Sequence, residues 1–336
     1  MEGGCAGATY VGAHACTVSP PAFWYINVAC ALVFFLGQER YADSCRFGHF
    51  AALCCPFHFF AMDVPGFALV TGAASGIGKA CAIAFAQEGA AGVALLDRDE
   101  CNLAEAKREI EESITKTQNG ASDKECVLRT YAVDVTNEEQ ISEAVNDAAT
   151  EFGSLDYVVN AAGIAMKHPG GAAFAETADW RRVLDINLTG TFFVLKAAVK
   201  IMLKQEPILS SIDGRPLQRG SIVNFGSIQG VVGIELSTAY TTSKHAVIGL
   251  TRTASEDYAK DGLRINAICP GYTETPMTTK NPQVREAMEK RVGTAVPMQR
   301  MGMAKEIADG VLYLAGGRSS FVTGSALMVD GGYTCR

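Results

Sequence analysis

The chain has 336 residues, of which 48% are hydrophobic and 19% are charged, a composition that is ordinary for a globular protein. Its formal net charge of -7 argues against a nucleic-acid partner, because proteins that bind a phosphate backbone carry a basic excess. A fibrous or wholly disordered chain is also excluded, since this chain is long and apolar enough to bury a substantial core.

The first 62 residues differ in composition from the rest of the chain. No Asp, Glu, Lys or Arg occurs between residues 3 and 38, and residues 22–37 are apolar except for Asn27. This apolar run is about four residues short of the roughly 20 that a membrane-spanning helix needs. A secretory signal is also a poor fit, because the first basic residue is Arg40.

Three interpretations of residues 1–62 compete: a membrane-contacting leader, an irregular cap on the main domain, or upstream sequence that is not part of the functional protein. We favour the third, because Met62 stands directly before a complete domain start. We therefore expect a single catalytic domain over residues 63–336 and a cytoplasmic location. In the alternative case, the protein is membrane-associated through residues 1–62 only.

The cysteine pattern does not indicate a metal site. Of the eleven cysteines, six precede Met62 and show no metal-ligand spacing, and the five histidines are dispersed along the chain. We predict that the remaining cysteines are free, buried thiols in a reducing compartment. These are Cys81, Cys101, Cys126, Cys269 and Cys335.

After Met62, short apolar runs alternate with longer segments of helical periodicity. The helical segments are clearest at 78–88, 138–152 and 243–261. Strands are predicted at 67–70, 92–96, 127–133, 157–160, 221–225, 264–268 and 326–329. This alternation predicts an α/β protein with a seven-stranded parallel sheet and helices on both faces. Right-handed crossovers give a doubly wound Rossmann fold whose ligand site lies at the carboxyl ends of the strands.

Two polar inserts, at 115–123 and 205–220, are predicted to be surface loops.

The first predicted strand runs directly into a glycine-rich turn, TGAASGIG at 71–78. Such a turn brings backbone N–H groups and a helix N-terminus close to a pyrophosphate, although glycines at a strand-to-helix turn can also be purely structural. The predicted dinucleotide-binding residues of this loop are Gly72, Ser75, Gly76, Ile77 and Gly78.

The second predicted strand ends in a carboxylate, Asp97, which lies 19 residues after Gly78. An acidic side chain there would hydrogen-bond the ribose hydroxyls of the adenosine and repel a 2′-phosphate. This favours NAD as the cofactor. The neighbouring Arg98 could pair with the phosphate of NADP, which leaves NADP as the alternative. Asp97 could also be only a solvated loop charge.

Candidate proton-transfer groups lie between residues 221 and 244. Ser227 follows a predicted strand, and a helix then begins with the segment YTTSK, which contains Tyr240 and Lys244. Tyr and Lys at positions i and i+4 share one helix face, where an adjacent ammonium is expected to lower the pKa of the phenol. Ser227 could then hold a substrate oxygen. Alone, such a Tyr–Lys pair is more often without function.

Together, residues 67–334 resemble a classical short-chain dehydrogenase/reductase. The matching segments, in chain order, are TGAASGIG at 71–78, Asp134-Val135, NAAG at 160–163, Asn187, Ser227, YTTSK at 240–244, PGYTET at 270–275 and the tail at 322–332. One position departs from the family pattern: Ala161 replaces the second Asn of the NNAG motif. That motif mainly stabilises the central strand, so the change hardly affects the resemblance.

The resemblance implies a role for each matched residue. Tyr240 would exchange a proton with the substrate oxygen, Ser227 would orient that oxygen, and Lys244 would hydrogen-bond the nicotinamide ribose. Asn187 would connect Lys244 to bulk solvent through a water molecule. Cofactor contacts are further implied for Asp134, Val135, Asn160, Thr273 and Thr275. The expected reaction is hydride transfer between a nicotinamide cofactor and a secondary alcohol or ketone, without a metal.

The predicted substrate segments, 164–174, 229–237 and 277–301, are rich in apolar side chains, so an apolar small-molecule substrate is expected. Their expected pocket residues are Met166, Val231, Val232, Ile234, Leu236, Met277 and Met298. The segment MQRMG at 298–302 resembles the 3-oxoacyl-thioester reductase branch, which suggests a 3-oxoacyl or polyketide-like ketone. Helices around Asn187 and after Tyr240 resemble the family's subunit contacts, which implies a homodimer or homotetramer. The alternative function is a catalytically silent dinucleotide-binding scaffold.

Overall fold

The computed structural model describes residues 62–117 and 126–335. The interpretations of residues 1–61, and most of the insert predicted at 115–123, fall outside this part of the chain. Within the two described ranges, no helix combines the length and the apolar character that a membrane crossing would require.

Most strands of the described chain belong to one parallel sheet. The strands are β1 (Phe67–Thr71), β2 (Gly92–Asp97), β3 (Val127–Ala132), β4 (Tyr157–Asn160), β5 (Gly220–Phe225), β6 (Leu263–Pro270), β7 (Thr273–Glu274), β8 (Gly302–Met303) and β9 (Ala326–Val329). Seven of them form the sheet in the order β3-β2-β1-β4-β5-β6-β9, and the short β7 and β8 pair only with each other. The predicted seven-stranded parallel sheet is confirmed.

Helices connect these strands. They are α1 (Gly76–Gln87), α2 (Glu100–Thr117), α3 (Glu138–Phe152), α4 (Thr177–Leu184), α5 (Gly190–Met202), α6 (Thr238–Tyr258), α7 (Pro276–Thr279), α8 (Pro282–Ala295) and α9 (Ala304–Ala315). A π-helical turn, Asp185–Thr189, joins α4 to α5. Most predicted boundaries agree with the structure to within two residues. Helix α6 begins at Thr238, two residues before the predicted YTTSK start and five before the periodic segment 243–261, and α2 continues to Thr117, into the insert predicted as a loop.

The core lies on both faces of the sheet, because successive strand side chains point in opposite directions. On one face, Ala68 and Val70 of β1 pack with Phe85 of α1 and Leu312 of α9. On the other face, Leu69 packs with residues of α3, α5 and α6. Helices therefore cover both faces, as a doubly wound fold requires.

The insert at 205–220 was predicted to be a surface loop, and this prediction is only partly correct. Ser210 is 6% exposed and Gln218 is 2% exposed, so part of the insert is buried. The Asp63 carboxylate accepts hydrogen bonds from the Ser210 hydroxyl at 2.7 Å and from the Ser211 backbone N–H at 2.7 Å. These bonds fix the insert to the first described residues of the chain, which the polar sequence alone did not indicate.

The five described cysteines are free, as predicted. Cys81, Cys126 and Cys269 are buried, but the expectation of burial was wrong for Cys101 and Cys335, which are exposed. Cys101 lies in the first turn of α2, and Cys335 lies in the C-terminal turn. Among the described residues, no group of three His, Cys, Asp or Glu side chains could hold a metal ion.

The strand order reverses between β1 and β4. From β1 the chain continues outward to β2 and β3, whereas β4 returns to the other side of β1 and leads on to β5, β6 and β9. The loops that follow β1 and β4 therefore diverge at the carboxyl edge of the sheet. In open α/β sheets, ligands bind in the crevice that such a reversal creates.

Candidate active site

A cavity of about 380 Å³ lies at this edge of the sheet. Its wall includes the glycine loop after β1, Ser227 after β5, and Tyr240 and Lys244 of α6. A volume of this size is within the range of small-molecule binding sites. The fold therefore brings the predicted cofactor loop and the predicted proton-transfer group together in one cavity.

The glycine loop has a backbone that side chains would obstruct. Gly72 and Gly76 have φ angles of +67° and +56°, in the left-handed region that favours glycine. A Cβ added to Gly78 would lie 2.2 Å from the Gly72 carbonyl oxygen. Ser75 is the N-cap residue of α1, but its side chain makes no hydrogen bond to the first turn of the helix. The backbone N–H groups of that turn are therefore not occupied by the Ser75 side chain. This cradle fits a phosphate group held by backbone N–H groups at a helix N-terminus.

Two carboxylates flank the same side of the cavity. Asp97 accepts hydrogen bonds from the backbone N–H groups of Ala74 and Asp99, both at 3.1 Å, so its carboxylate is fixed beside the glycine loop. Asp134 accepts from the backbone N–H and the hydroxyl of Thr136, at 2.9 and 2.8 Å. Asp97 and Asp134 both line the cavity, as do Arg98 and Val135.

Ser227, Tyr240 and Lys244 meet at one wall of the cavity. Ser227 caps the 3-10 helix Ile228–Gly230, and its side chain lies close enough to Tyr240 to affect the pKa of that phenol. The Lys244 Nζ lies 5.6 Å from the centre of the Tyr240 ring and donates to the Phe225 carbonyl at 2.7 Å. The end of β5 and the turn after it therefore position all three groups, because Phe225 is the last residue of the strand and Ser227 follows two residues later.

The protonation of this pair differs from the prediction. Burial raises the pKa of Tyr240 above its ordinary value, and the hydrogen bond from Ser227 offsets this only in part. Burial lowers the pKa of Lys244 to about 8. The expectation that the ammonium lowers the pKa of the phenol was wrong here, because desolvation dominates and the ammonium lies over the ring, bonded to a carbonyl.

Asn187 is fully buried in the π-helical turn and does not line the cavity. Its side chain accepts from the Ile164 N–H at 2.8 Å and donates to the Ile164 carbonyl at 2.9 Å. It also donates to the Ser243 hydroxyl at 3.1 Å, on the helix that carries Tyr240 and Lys244. Asn187 thus ties the loop after β4 to α6, and its role in a water relay stays a prediction.

The comparisons with known proteins place this site in a family. A family model described as enoyl-(acyl carrier protein) reductase matches residues 72–334. The short-chain dehydrogenase fogB of Aspergillus ruber is 40% identical over 275 residues, which are 81% of this chain and 98% of that protein. The chain belongs to the short-chain dehydrogenase/reductase family.

Two further relatives support the family and the fold of this short-chain dehydrogenase/reductase. The 3-oxoacyl-[acyl-carrier-protein] reductase FabG of Thermotoga maritima is 37% identical over 265 residues, covering 79% of this chain and 96% of that protein. The structure of an aldohexose dehydrogenase from Thermoplasma acidophilum is 32% identical, with a TM-score of 0.65, and the match covers 83% and 97% of the two chains. The chain is therefore an oxidoreductase that uses a nicotinamide cofactor and acts on CH–OH groups.

The remaining predicted cofactor residues of this short-chain dehydrogenase/reductase fall into two groups. Thr273 and Thr275 line the cavity. Asn160 does not; its side chain donates to the Asn224 side chain at 2.9 Å and links β4 to β5 inside the sheet. A direct contact between Asn160 and the nucleotide stays a prediction, and the hydrogen bond that it makes is that of a strand-to-strand link.

Of the expected pocket residues of this short-chain dehydrogenase/reductase, Met277 alone lines the cavity. Val231, Leu236 and Met298 are exposed, between 38% and 65%. Sequence reasoning also missed cavity residues as individual candidates, namely Gln229, Tyr272 and Met288. Tyr272 lies in the matched PGYTET motif, and Gln229 and Met288 lie in the predicted substrate segments 229–237 and 277–301, but their residue types did not single them out within those segments.

Proposed function

We propose that this protein interconverts a neutral, mainly apolar ketone and its secondary alcohol, with NAD as the cofactor. The observation that carries the proposal is the meeting of Ser227, Tyr240 and Lys244 at one wall of a cavity whose other end is a glycine cradle. The cradle, Asp97 and Asp134 would hold the nucleotide. When bound, the nicotinamide supplies or accepts the hydride.

The residues of the chain would place the substrate and move its proton. Ser227 would donate a hydrogen bond to the substrate oxygen, and Tyr240 would transfer its phenolic proton to the same oxygen during reduction. The raised pKa of Tyr240 suits this direction, because it keeps the phenol protonated at neutral pH. Lys244 would hydrogen-bond the nicotinamide ribose, and Asn187 would hold the relay that returns a proton from solvent.

The rest of the lining supports the proposed substrate class. Ile164, Ile228, Met277 and Met288 give the cavity apolar side chains, which suit a 3-oxoacyl or polyketide-like ketone. The relative named as a 3-oxoacyl-[acyl-carrier-protein] reductase supports such a ketone. We further propose a cytoplasmic homodimer or homotetramer in which residues 63–336 suffice for activity.

A nucleotide and substrate screen tests the function. The full chain and a chain that begins at Met62 are each incubated with NADH or NADPH and a panel of neutral aromatic and aliphatic ketones. We expect both to oxidise NADH in the presence of at least one ketone, at similar rates, and to elute with an oligomeric mass by light scattering. If neither NADH nor NADPH is oxidised with any ketone, and neither NAD+ nor NADP+ is reduced with any alcohol in the reverse assay, the proposed function is wrong.

The cofactor preference is tested at Asp97. Removal of its charge by Asp97→Asn is expected to weaken NADH binding and relieve the repulsion of a 2′-phosphate, while Arg98 remains to pair with that phosphate. Since a hydrogen bond to a charged group contributes about 2 kcal/mol, the ratio of the Kd values for NADPH and NADH should fall by about 30-fold. Binding is measured by nucleotide fluorescence.

The matched control is Asp99→Asn. Asp99 is two residues away, and its carboxylate accepts from the backbone and side chain of Asn102 rather than lining the cavity. The control should leave the ratio of the two Kd values unchanged. An equal change in both variants would mean that general charge, and not contact with the ribose, decides the preference.

The lowered pKa of Lys244 predicts how nucleotide use depends on pH. Its ammonium is present below its pKa and is lost as the pH rises through about 8. The neighbouring Tyr240 and Cys269 have raised pKa values, about 11 for Cys269, so neither should titrate near pH 8. We expect kcat/KM for the nucleotide to be constant below pH 8 and to fall about tenfold per pH unit well above it.

Lys244→Arg is the comparison for this profile, because a guanidinium keeps its charge throughout the range. Its kcat/KM is expected to be lower but level across pH 8. A wild-type profile that is level to pH 10 would contradict the titration of Lys244 near pH 8. The same inflection in the Arg variant would assign the titration to another group.

A further inference from the structure

The part of the cavity beyond the glycine loop offers a ligand few polar groups. The charged side chains that line the described cavity are Asp97, Arg98, Asp134 and Lys244. The first three flank the glycine loop, and Lys244 belongs to the proton-transfer group. A substrate that lies against Ser227 therefore meets neutral side chains.

Two of these neutral side chains already have partners in the protein. The Thr278 hydroxyl donates to the Thr273 carbonyl at 2.8 Å. Tyr272 packs edge-on against Tyr333 with ring centres 5.7 Å apart. The amide of Gln229, two residues after Ser227, retains hydrogen-bonding capacity for a ligand.

Gln229 is held at both ends by residues next to the proton-transfer group. Its backbone N–H donates to the Ser227 hydroxyl oxygen at 3.1 Å. Its side-chain Oε1 accepts a hydrogen bond from the Thr241 hydroxyl at 2.9 Å, and Thr241 follows Tyr240 on α6. The Nε2 group makes no hydrogen bond within the described part of the chain and belongs to a side chain that lines the cavity.

We propose that Gln229 is a specificity-determining residue whose amide N–H group binds a second oxygen of the substrate. Ser227 and Tyr240 hold the oxygen that is reduced, and Gln229, two residues beyond Ser227 on the same turn, reaches a different atom. The preferred substrate is then a ketone with a further carbonyl or hydroxyl oxygen close to the reacting one. This inference rests on the proposed function.

A fixed donor of this kind discriminates against ligands that lack the acceptor, because the donor is then left without a partner. The test compares ethyl 3-oxobutanoate with 2-heptanone, which have the same backbone length but differ in the ester group, whose carbonyl supplies the second oxygen. With the full chain and NADH or NADPH, we expect kcat/KM to be about 10- to 100-fold higher for the keto ester. The difference should lie mainly in KM, since the contact forms before the transition state.

Three variants isolate the amide. Gln229→Leu is expected to remove the preference for the keto ester while leaving kcat/KM for 2-heptanone within about threefold of the wild type. Thr241→Val frees the amide to rotate and should give an intermediate preference. Gln283→Leu changes an exposed glutamine of α8 that does not line the cavity, and it should preserve the full preference.

The outcomes distinguish a failure of the inference about Gln229 from a failure of the proposed function. Nucleotide binding and thermal melting of each variant show whether it is folded. If the wild type reduces the ketones but Gln229→Leu keeps the same preference, or lowers both rates equally, the inference about Gln229 is overturned and the proposed function is not. If the wild type reduces no ketone in the screen with either nucleotide, the proposed function fails and this inference fails with it.

Discussion

Replacement of Tyr240 by Phe is expected to lower kcat for ketone reduction by about 10²- to 10⁴-fold, the usual contribution of a positioned proton donor. Tyr240 is the cavity phenol next to Ser227, the residue proposed to hold the substrate oxygen. Without its hydroxyl, the alkoxide that forms on hydride transfer has no adjacent donor of a proton. The ring itself is retained, so its packing over the Lys244 ammonium should persist.

The measurement is steady-state turnover together with nucleotide affinity by fluorescence, and the affinity should change by less than about threefold. Tyr272→Phe is the matched control, because Tyr272 also lines the cavity but packs edge-on against Tyr333 and has no proposed part in proton transfer. That variant should keep most of its activity. If Tyr240→Phe retains full turnover, the proton must come from another group. A chain that binds nucleotide but never turns over would instead be the catalytically silent scaffold.

The fold could be predicted because the pattern of apolar residues alone indicates the order of strands and helices. Strands such as Tyr157–Asn160 are buried at every residue, and they read in the sequence as short apolar runs between helical segments. Boundaries were less accurate where hydrogen bonds decide them. Helix α6 begins at Thr238, five residues before the periodic segment 243–261, and in its first turn the Thr241 N–H donates to the Ser237 carbonyl.

The candidate site was predicted by residue type and spacing, but its electrostatics was not. Tyr240 and Lys244 at i and i+4 reach the same wall, yet the sequence does not reveal that the Lys244 ammonium is bonded to the Phe225 carbonyl. It also does not reveal how strongly the surrounding protein desolvates both groups. The Gln229 amide was missed for a similar reason, since its orientation depends on Thr241, twelve residues along the chain.

Arg264 illustrates a structural residue that no motif indicated. It lies in β6, is 5% exposed, and retains its charge at neutral pH although burial lowers its pKa to about 10. Its guanidinium donates to the carbonyls of Leu314, Ala315 and Gly316 at 2.7, 2.6 and 3.1 Å. These carbonyls end α9, where the helix dipole is negative, so they stabilise a buried cation without a carboxylate.

Arg264→Met is therefore expected to lower the free energy of unfolding by about 3–5 kcal/mol, because it leaves several buried carbonyls without donors. Arg264→Lys keeps the charge but lacks the planar fork, and it should lose an intermediate amount. Urea denaturation at a fixed protein concentration measures both, with Arg285→Met as control. Arg285 forms an exposed ion pair with Glu289 on α8, so its loss should hardly change the free energy of unfolding. If the two Met variants were equally stable, the hydrogen bonds of Arg264 would not anchor α9 to the sheet.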